Sequence, residues 1–117
     1  MTFLKLIDVM DLPKDFRHVL YDLFHPYAVE QEPAIKQVKV YRGNIEDHLQ
    51  EWEENKVYWD YIDYEIVEQY AHRIAVGIEF PPLVADRPKG LLLDGYHRLG
   101  AYQRLNKQHA AFIYLDD

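Results

Sequence analysis

Apolar positions recur along the chain in two rhythms, one of helical period and one alternating, and together they predict a mixed α and β order. Phe16, Val19, Leu20, Leu23 and Phe24 stand at i, i+3, i+4, i+7 and i+8, which places them on one face of a helix. Pro13 sits where a first helical turn tolerates the missing amide hydrogen, and His25 followed by Pro26 predicts the end of the helix. Residues 37–41 alternate instead, with Val38 and Val40 on one side. That pattern predicts a half-buried strand followed by a turn at Arg42 and Gly43. Asn44 is a good N-cap with Asp47 three residues on, and a short acidic helix is expected after it, with Ile45, Leu49 and Trp52 on one face.

The aromatic stretch 58–64 has no period and reads as a connector. Asp63 then caps a helix in which Ile66, Val67, Tyr70, Ala71, Ile74 and Ala75 form a continuous apolar stripe and Gly77 supplies the stop. After Pro81 and Pro82 come a short apolar strand at 83–85, a polar turn at 86–90 and a second strand at 91–93, which predicts a hairpin. Leu99, Tyr102 and Leu105, spaced by three, predict a helix over 97–105, and residues 110–115 close the chain as a strand. No repeat or linker interrupts the 117 residues, so a single domain over 1–117 is expected.

Composition narrows the chemistry. With 13 Lys plus Arg against 20 Asp plus Glu the formal charge is −7, which repels a phosphate backbone at long range and disfavours non-specific coating of DNA. The absence of cysteine removes thiol catalysis, disulfides and thiolate metal sites together. No apolar run approaches the roughly 20 residues of a membrane span, and the first ten residues lack the features of a secretion signal. A cytoplasmic protein with no membrane partner is therefore expected. Its chemistry falls to His, Arg, carboxylates, Tyr and backbone amides.

Those groups gather in residues 91–102, where Leu91, Leu92 and Leu93 run through Asp94 and Gly95 into a helix that begins with Tyr96, His97 and Arg98. A strand handed over to a helix with almost no loop aims unpaired N–H groups and the positive end of the helix dipole at one point, where an anion can sit. Gly95 removes a Cβ that would block close approach and permits positive φ. Arg98 adds a planar fork suited to phosphate oxygens, and His97 a donor that can also move a proton. Read as a plain tight turn, the same residues would have Asp94 capping the helix and Arg98 paired with a surface carboxylate.

The segment Asp94, Gly95, Tyr96, His97, Arg98 resembles the signature of the ParB/sulfiredoxin superfamily, in which a strand, a Gly-x-His-Arg type turn and a helix form a nucleotide phosphate cradle. The order of a helix over 63–77, then Phe80, Pro81, Pro82, Leu83 and Val84, a hairpin, the motif, a helix with Ala101 and a last strand carries the resemblance over residues 63–115. The resemblance implies a small α+β domain with a mixed sheet, packed helices and an N-terminal helical elaboration. Residues 1–60 are not explained by it, although Val38 and Val40 fit the family's first strand. It further implies that Gly95 and Tyr96 offer backbone amides, that His97 and Arg98 contact phosphate, and that Asp94 lies at the strand end near a ribose or a metal-bound water. The implied ligand is an ATP-like or CTP-like nucleotide, with any magnesium arriving on it. If the domain is an enzyme, the implied reaction is cleavage or transfer at a phosphate bond, with Asp94, His97 and Arg98 as the catalytic set.

Two departures restrict the resemblance. Sulfiredoxins carry a catalytic cysteine where this chain has Tyr96, so sulfinic acid reduction by that mechanism is excluded. Partitioning ParB proteins add a helix-turn-helix DNA reader after this domain, whereas the sequence ends at Asp117, and site-specific DNA binding by this chain alone is not expected.

Two other readings stand beside nucleotide binding. One is a plasmid-type or phage-type interaction factor that uses the acidic, aromatic segment 46–64, with Trp52 and Trp59, on a protein partner. The other is a nuclease, for which Arg87, Lys89, Arg98, Arg104 and Lys107 would have to form a basic patch against the overall charge. The acidic residues Glu46, Asp47, Glu51, Glu53, Glu54, Asp60, Asp63, Glu65 and Glu68 read mainly as solvated helix faces. His18, His25, His48, His72 and His109 have no ligand spacing and are given no role, and no dedicated metal site is expected.

Overall fold

The computed structural model describes residues 2–24, 37–48, 62–86 and 91–114. They form one five-stranded mixed sheet with helices on both faces, an α+β architecture. The elements are β1 (Thr2–Asp8), a 3₁₀ turn (Val9–Asp11), α1 (Lys14–Phe24), β2 (Gln37–Asn44), a second 3₁₀ turn (Ile45–His48), α2 (Tyr64–Ala75), β3 (Leu83–Asp86), β4 (Leu91–Asp94), α3 (Tyr96–Arg104) and β5 (His109–Tyr114). In space the strands run β1-β2-β5-β3-β4. The β3–β5 pair is parallel and the other three pairs are antiparallel.

Strand alternation divides the core in two, since successive side chains leave a strand on opposite faces. Leu83, Ala85, Leu92, Ala110, Phe112 and Tyr114 pack with Val67 of α2 and Leu99 of α3. Val84, Ile113, Val38 and Val40 pack on the other face with Phe16 and Leu20 of α1. Helix α1 starts after Pro13, whose carbonyl accepts from the Arg17 amide at 2.9 Å. Asp63 caps α2 by accepting from the Glu65 and Ile66 amides. Gly77, at φ +96°, ends α2 with paired return bonds, Gly77 N–H to Ile74 and Ile78 N–H to Arg73, as a Schellman stop requires. Asn106 does the same for α3 at φ +58°. None of the helices among the described residues is long and apolar enough to cross a membrane.

Three expectations need correction or addition. Arg42 and Gly43 are not a turn: both lie in β2, opposite Ala111 and Ala110 of β5. The glycine there serves packing, because a Cβ would collide with the Tyr114 hydroxyl and lie 2.7 Å from Phe112 Cδ2. The element after Asn44 begins as expected, with the Asn44 side chain accepting from the Glu46 amide at 3.0 Å, but it is a four-residue 3₁₀ turn. Leu49 and Trp52 lie outside the described residues. Strand β1 had no signal of its own. It lies at one end of the described sheet, Phe3, Leu4 and Leu6 are about half exposed, and a register shift between Phe3 and Lys5 breaks the alternation that would have announced it.

Candidate functional site

Where β4 ends, the chain enters α3 through a single residue. Gly95 is the N-cap of α3 at φ +106°, ψ 29°, with no side-chain cap bond, and its carbonyl accepts the first helical bond from Leu99 N–H at 2.8 Å. An added Cβ would strike Leu83 Cδ2 and come within 2.8 Å of Arg98 Nη2. Backbone angle and crowding therefore both require glycine here. The helix begins without an acidic residue in its first turn and without a side-chain cap, and its first residues line a pocket of about 440 Å³.

The pocket lies between α1 and the α2–α3 pair. Asp94, Gly95, Tyr96, His97 and Arg98 line it on one side. All five residues singled out in the sequence are thus brought together. The remaining wall is mostly apolar, built by Phe16 and Val19 of α1, Ile62, Tyr70 of α2, Phe80 and Pro81. Tyr70 and Phe80 are themselves in ring contact at 4.9 Å. Phe16, Val19 and Tyr70 read in the sequence only as core positions of their own helices, Ile62 as part of a connector and Phe80 and Pro81 as the approach to a strand, and nothing local marks them as a wall. Asp15 adds a second carboxylate to the lining, and it too carries no sequence signal beyond its place in a first helical turn.

Arg98 is engaged more deeply than a surface phosphate clamp would be. It is 8% exposed. Nη1 donates to the carbonyls of Pro81 at 2.9 Å and Pro82 at 3.1 Å, and Nη2 to Asp94 Oδ2 at 2.7 Å. Its guanidinium carbon lies 5.3 Å from the Phe16 ring centre, within cation–π range. Burial pulls its pKa below the ordinary arginine value, with Asp94 opposing that shift. One side chain thereby ties the first turn of α3 to the end of β4, to the segment leading into β3 and to helix α1. Asp94 is its ion-pair partner and not the cap.

His97 is also engaged, since the Asp63 amide donates to its Nε2 at 3.1 Å. That bond needs a lone pair on Nε2, so a neutral ring carries its proton on Nδ1. The cap of α2 and the first turn of α3 are joined by this contact. The Tyr96 hydroxyl donates back to the Leu92 carbonyl at 2.6 Å.

The other candidates fall away from this corner. Arg104 pairs with Glu68 at the surface, and Lys107 is exposed. Arg87 and Lys89, two members of the basic patch of the nuclease reading, lie outside the described residues. Of the acidic group, Glu46, Asp47 and Glu65 are exposed, Asp63 caps α2, and Glu51, Glu53, Glu54 and Asp60 lie outside the described residues. So do Trp52, Tyr58, Trp59 and Tyr61, which carried the protein-partner reading, and His25. His48 is buried against the rings of Phe112 and Tyr114. No group of three His, Asp or Glu side chains gathers as a metal site among the described residues.

No family model, no curated protein and no solved structure matches the chain.

Proposed function

We propose that the chain is a ParB/sulfiredoxin-like domain that binds a nucleotide, ATP-like or CTP-like, in the pocket at the β4–α3 junction. The observation that carries this reading is the coincidence in one pocket of an uncapped helix start and an aromatic wall. The amide end suits a phosphate. Phe16, Tyr70 and Phe80 suit the flat, largely apolar face of a base. A site of this kind needs the backbone to approach its ligand closely, and Gly95 supplies a position where a side chain has no room.

In this reading the amides of Gly95 and Tyr96 face the phosphate. Arg98 holds the corner in shape and sets its charge through Asp94, and His97 fixes the two helix starts to each other. The Nε2 of His97 and three hydrogen bonds of Arg98 are already committed, which favours binding over turnover. A magnesium ion would come with the nucleotide, held mainly by phosphate oxygens and water.

The test is a thermal-shift panel of nucleoside mono-, di- and triphosphates, with and without magnesium. A ligand that prefers the native state must raise its apparent stability, by about 2.7 kcal/mol at a hundredfold excess over Kd. A concentration-dependent rise for at least one nucleotide, lost in Tyr70→Ala or Phe80→Ala, is the expected result. A flat panel overturns the proposal.

A further inference from the structure

The register of β1, β2 and β5 brings a second set of polar side chains together, far along the sheet from the pocket just described and sharing no residue with it. Thr2 lies opposite Arg42, and Asn44 opposite His109. Directly paired residues share a face, as do residues two apart on one strand. Thr2, Arg42, Asn44 and His109 therefore stand on one face of three adjacent strands. They line a concavity of about 650 Å³, to which the 3₁₀ turn after β2 contributes Asp47 and His48, and to which Gly43 and Tyr114 contribute from the other side of their strands.

Arg42 Nη2 points at His109 Nδ1 across the β2–β5 pair at 3.4 Å. A guanidinium has only donors, so this contact requires the ring nitrogen to accept, and it is long for a hydrogen bond. Arg42 has no carboxylate within ion-pair distance among the described residues. Asn44 spends its side-chain oxygen on the Glu46 amide, which leaves its NH₂ group as a donor, and Thr2 adds a hydroxyl. Asn44, Thr2 and the ring of His109 surround a guanidinium that has no carboxylate partner among the described residues.

We infer that Arg42 and His109, with Asn44 and Thr2, form a second binding site, for a tetrahedral oxyanion of the phosphate or sulfate type. An oxyanion placed between the guanidinium and a protonated ring replaces one long contact by two charge-assisted bonds. The titratable and charged groups that line the concavity with His109 are Arg42 on β2, Asp47 and His48 on the 3₁₀ turn and Tyr114 on β5. Arg42 attracts the anion, and Asp47 opposes it.

Sulfate is the probe, because it keeps two charges throughout the range in which imidazole titrates. NMR of the full chain follows the ring signals of His109 and the side-chain N–H of Arg42 during a sulfate titration. Saturable shifts at both residues are expected, tighter at about pH 6 than at about pH 8. Arg42→Ala, at an exposed position, should weaken the sulfate response at His109 at least about tenfold, and Asp47→Asn should strengthen it. A parallel titration with acetate should be weaker than with sulfate, since a planar monoanion cannot span all four donors. Absence of a saturable response at His109, or an unchanged response in Arg42→Ala, overturns the assignment. Sulfate binding at the α3 start would move Tyr96 and His97 instead, so the two sites are read separately.

Discussion

Replacing Arg98 tests whether the corner is held from within. In Arg98→Ala the carbonyls of Pro81 and Pro82 and one oxygen of Asp94 lose their donors together, and the cation over Phe16 is removed. Removing one member of a buried ion pair costs about 3–5 kcal/mol. Each carbonyl left without a donor would add about 1–3 kcal/mol if water could not reach it. The Asp94 side chain is 30% exposed and the site opens to the pocket, so water restores part of this, and the expected loss is about 3–5 kcal/mol in all. Set against a total of about 5–15 kcal/mol for a domain, that is a severe change. A surface arginine kept free for a ligand would cost within about 0.5 kcal/mol. Urea unfolding followed by circular dichroism measures the difference, with Asp94→Ala and the double variant completing a cycle for the pair. The sign of any pH dependence also follows. Burial lowers the pKa of Arg98, so the folded state gives up that proton earlier than the unfolded chain. The resulting cost is present in full at neutral pH and is relieved only as the pH rises into the strongly alkaline range. The Arg98→Ala loss should therefore be flat from about pH 6 to about pH 9. A loss below about 1 kcal/mol would refute the account of Arg98 as the brace of this corner.

Three further outcomes are expected. Gly95→Ala forces a side chain into φ +106° and against Leu83, and should lower stability by at least about 1–3 kcal/mol; an unchanged midpoint in the same urea assay would show that the junction tolerates a Cβ. Asp63→Ala removes the cap of α2 at a cost of about 0.5–2 kcal/mol, with hydrogen exchange accelerated first at Glu65 and Ile66, and uniform acceleration along α2 would speak against a local cap. Tyr102 is the third case: burial raises its phenol above the ordinary value, Arg98 opposes and Glu79 adds. The stability it contributes is complete below about pH 10 and is lost as the pH climbs through the folded-state value, so the alkaline fall in unfolding free energy should be shallower in Tyr102→Phe, and identical slopes would remove the assignment.

Local signals were legible in the sequence and distant ones were not. The handover from β4 to α3 could be read because period, Gly95 and the motif residues lie within a few positions of one another. The Asp63 cap and the Gly77 stop were legible for the same reason. The burial of Arg98 was not, because its partners arrive from Pro81 and Pro82, 17 and 16 residues away, and from Phe16 on another helix. The same holds for the aromatic wall: Phe16 and Tyr70 sit in helical stripes whose period says only that they face inward. Arg42 and Gly43 misled in the opposite direction. An Arg-Gly pair after an alternating strand resembles a turn, yet the glycine is there so that the rings of Phe112 and Tyr114 can lie against β2. His109, without any ligand spacing, gains meaning only once the β2–β5 register sets it beside Arg42.

We propose that the start of α3 and the aromatic wall beside it form one ligand site. Its most direct test is an NMR titration of the full chain with a nucleotide chosen from the thermal-shift panel, following backbone amides throughout. The account predicts saturable shifts at Gly95, Tyr96 and His97 together with the ring signals of Phe16, Tyr70 and Phe80, all with one dissociation constant. Shifts confined to other surfaces, or none at these amides at saturating nucleotide, would contradict it.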